Sequence, residues 1–152
     1  MQIKNLFSKS NILILTPLIL VMVFDFVFTS IGQPAGYWQN FNLVNEGNPI
    51  ARYLLVQNYL YFTLTSFIYG FLIILLVIKL KRPFNIIIAV SFFLIHSSAS
   101  ASWATVIFEK ITGIDPPVDT WWYLKFGYLA IVGIISGLCI DKWLKIKNNF
   151  PG

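Results

Sequence analysis

The chain has 152 residues, 57% of them hydrophobic, 17% aromatic and 11% charged, with a formal net charge of +5. Soluble domains carry about 25% charged residues, so this composition excludes an ordinary water-soluble globular domain and points to a chain that faces lipid. The basic residues sit in short clusters at segment ends, which argues against a nucleic-acid partner, and the single cysteine, Cys139, excludes an internal disulfide and reads as a small packing residue.

Four apolar segments approach the roughly 20 residues needed to cross a bilayer's hydrocarbon. The first runs from about Asn11 to Gly32. Lys4 and Lys9 ahead of it resemble the start of a cleaved signal peptide, but the run exceeds the usual apolar core of about 7–15 residues. It also contains Asp25 and lacks a small-x-small exit, so an uncleaved helix is expected. The connection Gln33–Pro49 is rich in aromatic residues and amides. Tyr37, Trp38 and Phe41 are expected in the membrane interface and Asn40, Asn42 and Asn45 in local turns, with the segment acting either as a lid or as a seal on the helix ends. Asn48-Pro49 opens the second helix, Asn as N-cap and Pro at the first helical position. If that helix continues to Ile78 it spans ~45 Å at ~1.5 Å per residue, so its first turns, with Arg52, stand in the interface or tilt.

The third helix runs from Phe84 to about Phe108 and carries the small-residue run Ser97-Ser98-Ala99-Ser100-Ala101-Ser102, which favours close helix approach. Asp115-Pro116-Pro117 forces a stiff turn, after which Asp119 or Thr120 is placed to cap the fourth helix, Trp121 to Ile140. Trp121, Trp122 and Tyr123 read as an aromatic belt, and Gly133 and Gly137 as one small face. No period-2 alternation is sustained, so helices are expected rather than a barrel. The expected fold is all-α: one transmembrane domain over residues 1–152, a four-helix bundle.

Orientation follows from charge. Lys4 and Lys9, then Lys79, Lys81 and Arg82, then Lys142, Lys145 and Lys147 fall on one side of a four-span chain. The positive-inside rule makes that side cytoplasmic, with both termini inside and a plasma (inner) membrane location. Glu46, Glu109, Asp115 and Asp119 fall outside with Arg52 and Lys110.

Two ionisable residues interrupt the apolar runs, Asp25 in the first and His96 in the third. A central Asp costs about 2.5–3.5 kcal/mol on insertion scales, so such groups face a partner, a cavity or the bundle interior. Helix rise places Asp25 ~21 Å above Asn11 and His96 ~18 Å above Phe84, so the two can meet at one level in the outer half of the membrane. Thr29 shares a face with Asp25, and Ser100 and Trp103 share one with His96. Lys125 enters from the fourth helix, and Asn58, Tyr59 and Thr63 are further polar candidates from the second. The plain reading is that Asp25 bonds His96 or Lys125 and only fixes the bundle. Three functional readings stand beside it. In a hydrolase, Asp25 orients His96 as base and Ser100 is the nucleophile. In a metal site, Asp25, Glu46 and His96 are the ligands, without a supporting HExxH or paired-Cys motif. In a binding pocket or proton-linked path, Asp25 and His96 change charge as a ligand enters.

The pattern Asp25-x-x-x-Thr29 followed by Glu46-x-Asn48-Pro49 resembles an uncharacterised family of small prokaryotic multi-helix membrane proteins, with Gly47 where that family carries alanine. The likeness covers residues 25–49. It implies that Asp25, Thr29, Glu46, Asn48 and Pro49 belong to one structural unit, and it implies no activity. Lipoprotein signal peptidases share the helix number and length, but their Gly-Asn-x-x-Asp-Arg motif and second intramembrane aspartate are absent. The leading expectation is a membrane protein that binds a small or lipid-like ligand through Asp25, Thr29, Glu46, Asn48, His96, Trp103 and Lys125. A membrane-embedded hydrolase or metal-dependent enzyme, and a non-catalytic subunit bound to a membrane protein partner, are the alternatives. No cofactor is assigned from the sequence.

Overall fold

The computed structural model describes residues 9–81 and 83–148; Lys4 and Arg82, counted above among the orienting charges, lie outside them. Among the described residues all regular structure is helical: α1 (Lys9–Gly32), α2 (Pro49–Gln57), α3 (Tyr59–Lys79), α4 (Phe84–Ser102), α5 (Ala104–Thr112) and α6 (Val118–Asn148). Short 3₁₀ turns occupy Ala35–Trp38 and Phe41–Leu43. Four helical segments are long and apolar enough to cross a membrane: Ile12–Gly32, Tyr59–Lys79, Phe84–Thr112 and Val118–Lys145. Their outward faces are apolar, with Phe67 67% and Ile134 64% exposed, as a lipid-facing surface requires and a water-facing one does not.

The α1 helix is the hub, packing along α4 and α6 and also touching α3 and α5. Leu15 and Leu18 of α1, Ile73 and Val77 of α3, and Ala89 of α4 form a buried apolar cluster. It lies toward the end that carries Lys79 and Lys81, here called the basic end. The opposite end, here called the loop end, holds the connection from α1 to α2, α2 itself and α5.

Helix boundaries differ from the expectation in the second, third and fourth segments. The long second helix is divided at Asn58, whose backbone is extended (φ −175°, ψ 140°). Its N–H bonds the Leu54 carbonyl and its side chain accepts from the Leu60 N–H, so one residue ends α2 and starts α3. Asparagine offers the backbone this alternative to a continuous helix, and α3 is left at a membrane-matched 21 residues. The third segment turns at Trp103 and continues as α5 to Thr112, where Gly113 (φ 70°) closes it in the left-handed conformation. The fourth helix begins at Val118, ahead of the expected caps Asp119 and Thr120, which lie in its first turn, and it runs past the expected Ile140 to Asn148.

Gly32 marks the closest approach at the loop end. A Cβ built there would fall inside the Trp103 ring, so only glycine lets α1 seat against the α4–α5 junction. Gly32→Ala is therefore expected to destabilise by about 1–3 kcal/mol, the usual cost of overpacking. Thermal unfolding in detergent checks this, and adding Trp103→Leu should restore part of the loss.

Candidate functional site

The polar chemistry of this chain begins on one face of α1, where Asp25 and Thr29 recur four residues apart and Gln33, just past the helix end, continues the spacing. Asp25 ties α4 to the hub, and Gln33 ties the connection that follows it. Asp25 Oδ2 lies 2.7 Å from His96 Nδ1 on α4, both side chains largely shielded at 18% and 13% exposure. The other imidazole nitrogen, Nε2, lies 3.3 Å from the Tyr69 hydroxyl on α3, and the two rings pack at 5.7 Å. Nδ1 thus faces the Asp25 carboxylate and Nε2 faces the Tyr69 hydroxyl. The result is a carboxylate–imidazole–phenol chain across three helices, about 10 Å below the loop end at ~1.5 Å of rise per residue.

Gln33 is fully buried. Its Nε2 donates to the Thr29 carbonyl at 2.9 Å and the Asn45 carbonyl at 3.1 Å, and its Oε1 accepts from the Asn45 N–H at 2.9 Å. This clamp fixes the segment just before Glu46. The Glu46 carboxylate accepts from the Asn48 N–H at 2.7 Å. Asn48 in turn caps α2, its Oδ1 accepting from Ile50 and Ala51. Thr29, only 4% exposed, lies beside Glu46. Burial raises the Glu46 pKa above its ordinary value, opposed by the Asn48 N–H and reinforced by the nearby Asp25 charge, while Gly47 N–H and Thr29 also lower it.

The connection is packed rather than loose. Tyr37, expected at the interface, is fully buried and donates through its hydroxyl to the Leu55 carbonyl at 3.0 Å. With Val44, Leu55 and Phe62 it forms a second apolar cluster. At the end of α1, Lys110 donates to the Ile31 carbonyl (2.6 Å) and the Gln33 carbonyl, a cation on carbonyls that the helix leaves unpaired.

Between this anchored segment and α4–α5 lies an open cavity of about 420 Å³. Asn45, Glu46, Gly47 and Asn48 form one wall; Ala99, Ser102, Trp103 and Val106 form the other. A volume of this order falls in the range of small-molecule sites, about 300–1,000 Å³.

Several candidates occupy other places than expected. The Ser100 hydroxyl bonds the carbonyl of His96 at 2.6 Å and the Tyr128 hydroxyl at 2.7 Å. It faces its own backbone and α6 rather than an imidazole nitrogen, as serines within helices commonly do, so the base–nucleophile arrangement is not formed. Lys125 stands 5.7 Å over the Trp122 ring, and the ion-pair partner of Asp25 is His96. Among the described residues no three His, Cys, Asp or Glu side chains gather closely enough to hold a metal ion; Asp25, Glu46 and His96 are neighbours without forming such a set. Tyr69, Gln33 and Tyr128 were not among the sequence candidates. Gln33 alone carried a signal, as the next fourth-residue step after Asp25 and Thr29. Comparison with protein-family models, with curated proteins and with solved structures finds no match to this chain.

Two outcomes follow. Asp25→Ala and His96→Ala should each cost about 1–3 kcal/mol by leaving a shielded polar partner unpaired. The double variant should lose less than the sum, with a coupling of at least about 0.5 kcal/mol in a thermal-unfolding cycle. For Glu46 the folded pKa is raised, so its contribution is fully present below the unfolded pKa and is lost as pH rises through the folded one. Glu46→Gln should therefore stabilise the protein relative to wild type near neutral pH, and the difference should vanish below the ordinary carboxylate range. Paired melting curves across that window check the sign.

Proposed function

We propose that this membrane protein is a binding protein for a small or lipid-like ligand, held in the loop-end cavity above the Asp25–His96–Tyr69 chain. The observation that supports this most is the cavity itself, whose polar wall is set by Gln33, Glu46 and Asn48 and whose opposite wall is Ala99, Trp103 and Val106. A site with one polar and one apolar wall suits an amphiphile lying at the membrane interface. Asp25 and His96 lie beneath it, shaping its electrostatics and, by exchanging a proton, answering to a charged ligand.

In this reading the chain resides in the plasma membrane, with both termini cytoplasmic and the loop end outside. Lys79, Lys81, Lys142 and Lys145 mark the cytoplasmic side under the positive-inside rule. A C-terminal fluorescent-protein fusion should fluoresce, and a C-terminal alkaline-phosphatase fusion should be inactive; the reverse pattern would invert the orientation.

The binding reading is tested by native mass spectrometry of the full chain from mild detergent, after incubation with the lipid extract of its host. Wild type should retain an added mass that Ala99→Trp, which fills the cavity, does not. The same extract should raise the melting temperature of wild type only. Equal masses and equal melting temperatures for the two would refute the cavity as a ligand site.

A further inference from the structure

The chemistry of the cavity walls narrows the ligand class, an inference that rests on the binding reading above. Three basic residues belong to the loop end: Arg52, Lys110 and Lys125. None of them lines the cavity. Lys110 is committed to the carbonyls of Ile31 and Gln33, and Lys125 to the face of Trp122. The charged side chain on the wall is Glu46, with Asp25 close enough to act on it electrostatically.

The remaining wall polarity points the same way. Ser102 donates its hydroxyl proton to the Ala99 carbonyl at 2.6 Å, which leaves lone pairs as what it offers to an additional partner. The Glu46 carboxylate receives the Asn48 N–H at 2.7 Å, yet a carboxylate has about four acceptor positions. Asn45 and Asn48 supply neutral amide groups beside it. An anionic head would meet Glu46 with no cation on the cavity wall to offset it, whereas an ammonium brings three donors and a positive charge to a wall of acceptors. Ala99, Trp103 and Val106 offer the facing carbon surface.

We propose that the loop-end cavity takes an ammonium-bearing amphiphile, its head against Glu46 and Ser102 and its carbon chain along Ala99, Trp103 and Val106. The same ammonium chemistry can come from a phospholipid headgroup or from a free amine.

The test uses the full chain in a maltoside detergent and three probes of equal length: hexylamine, hexanol and hexanoate. Hexylamine should bind at least about tenfold more tightly than the other two, the scale of one charge-assisted contact. Glu46→Gln, which keeps the acceptor for Asn48, should bring hexylamine down to the level of hexanol, and Glu46→Asp should keep part of the preference. Ser102→Val should weaken hexylamine severalfold through an independent position. Hexanol binding as tightly as hexylamine, yet lost in Ala99→Trp, would overturn the ammonium proposal and leave the cavity reading standing. Insensitivity of all three probes to Ala99→Trp would overturn both. Native mass spectrometry with phosphatidylethanolamine and phosphatidylglycerol then separates the sources. Retention of phosphatidylethanolamine by wild type and not by Glu46→Gln supports the proposal with a headgroup as source; hexylamine binding without such retention supports it with a free amine.

Discussion

The polar side chains on one face of α1 anchor both α4 and the connection that follows α1. In a bilayer's hydrocarbon, polar groups must find partners within the protein, and Asp25 and Thr29 of α1, with Gln33 just past its end, face α4 and the connection that follows. Asp25 reaches across to His96 on α4, Thr29 lies beside Glu46, and Gln33 bonds the backbone of Asn45. Because these residues recur at i, i+4 and i+8, they form a single stripe. Satisfying that stripe aligns the helices and lays the following connection over their ends.

The connection consequently behaves as a wall and not as a flap. Tyr37 fills its own small core, Gln33 holds Asn45 from both sides, and Asn48 starts the next helix. Glu46 sits between the last two of these anchors, and its half-buried carboxylate accepts the Asn48 N–H. The opposite wall is set as firmly by the contact of Trp103 with Gly32.

The two ends of the bundle divide the labour. Toward the basic end α1, α3 and α4 meet through Leu15, Leu18, Ile73, Val77 and Ala89, with no ionisable group in that cluster. Toward the loop end, Asp25, His96, Tyr69, Ser100 and Tyr128 link α1, α3, α4 and α6 through side-chain bonds. Ser100 and Tyr128 tie α4 to α6, a structural task that explains a fully buried serine without invoking catalysis.

The class of the protein was legible in the amino-acid order because it depends on local, additive properties. Apolar run length places the four membrane-length helices, and the isolated ionisable residues Asp25 and His96 could be matched in height from helix rise alone. Asn48-Pro49 announced a helix start for reasons confined to four residues. What the sequence did not determine depends on neighbours brought from afar. Asn58 falls within a largely apolar stretch, and whether an asparagine caps or continues a helix is decided by what the two halves pack against. The partners of His96 Nε2 and of Ser100 depend on helix rotation, which heights along an axis do not specify. Gln33 reads as a polar residue at a helix end until the chain folds back and brings Asn45 to it from twelve residues away. Helices and their depth are thus properties of the sequence, while the cavity, the charge of its wall and the direction of each proton donor come from tertiary packing, because each requires two segments to meet.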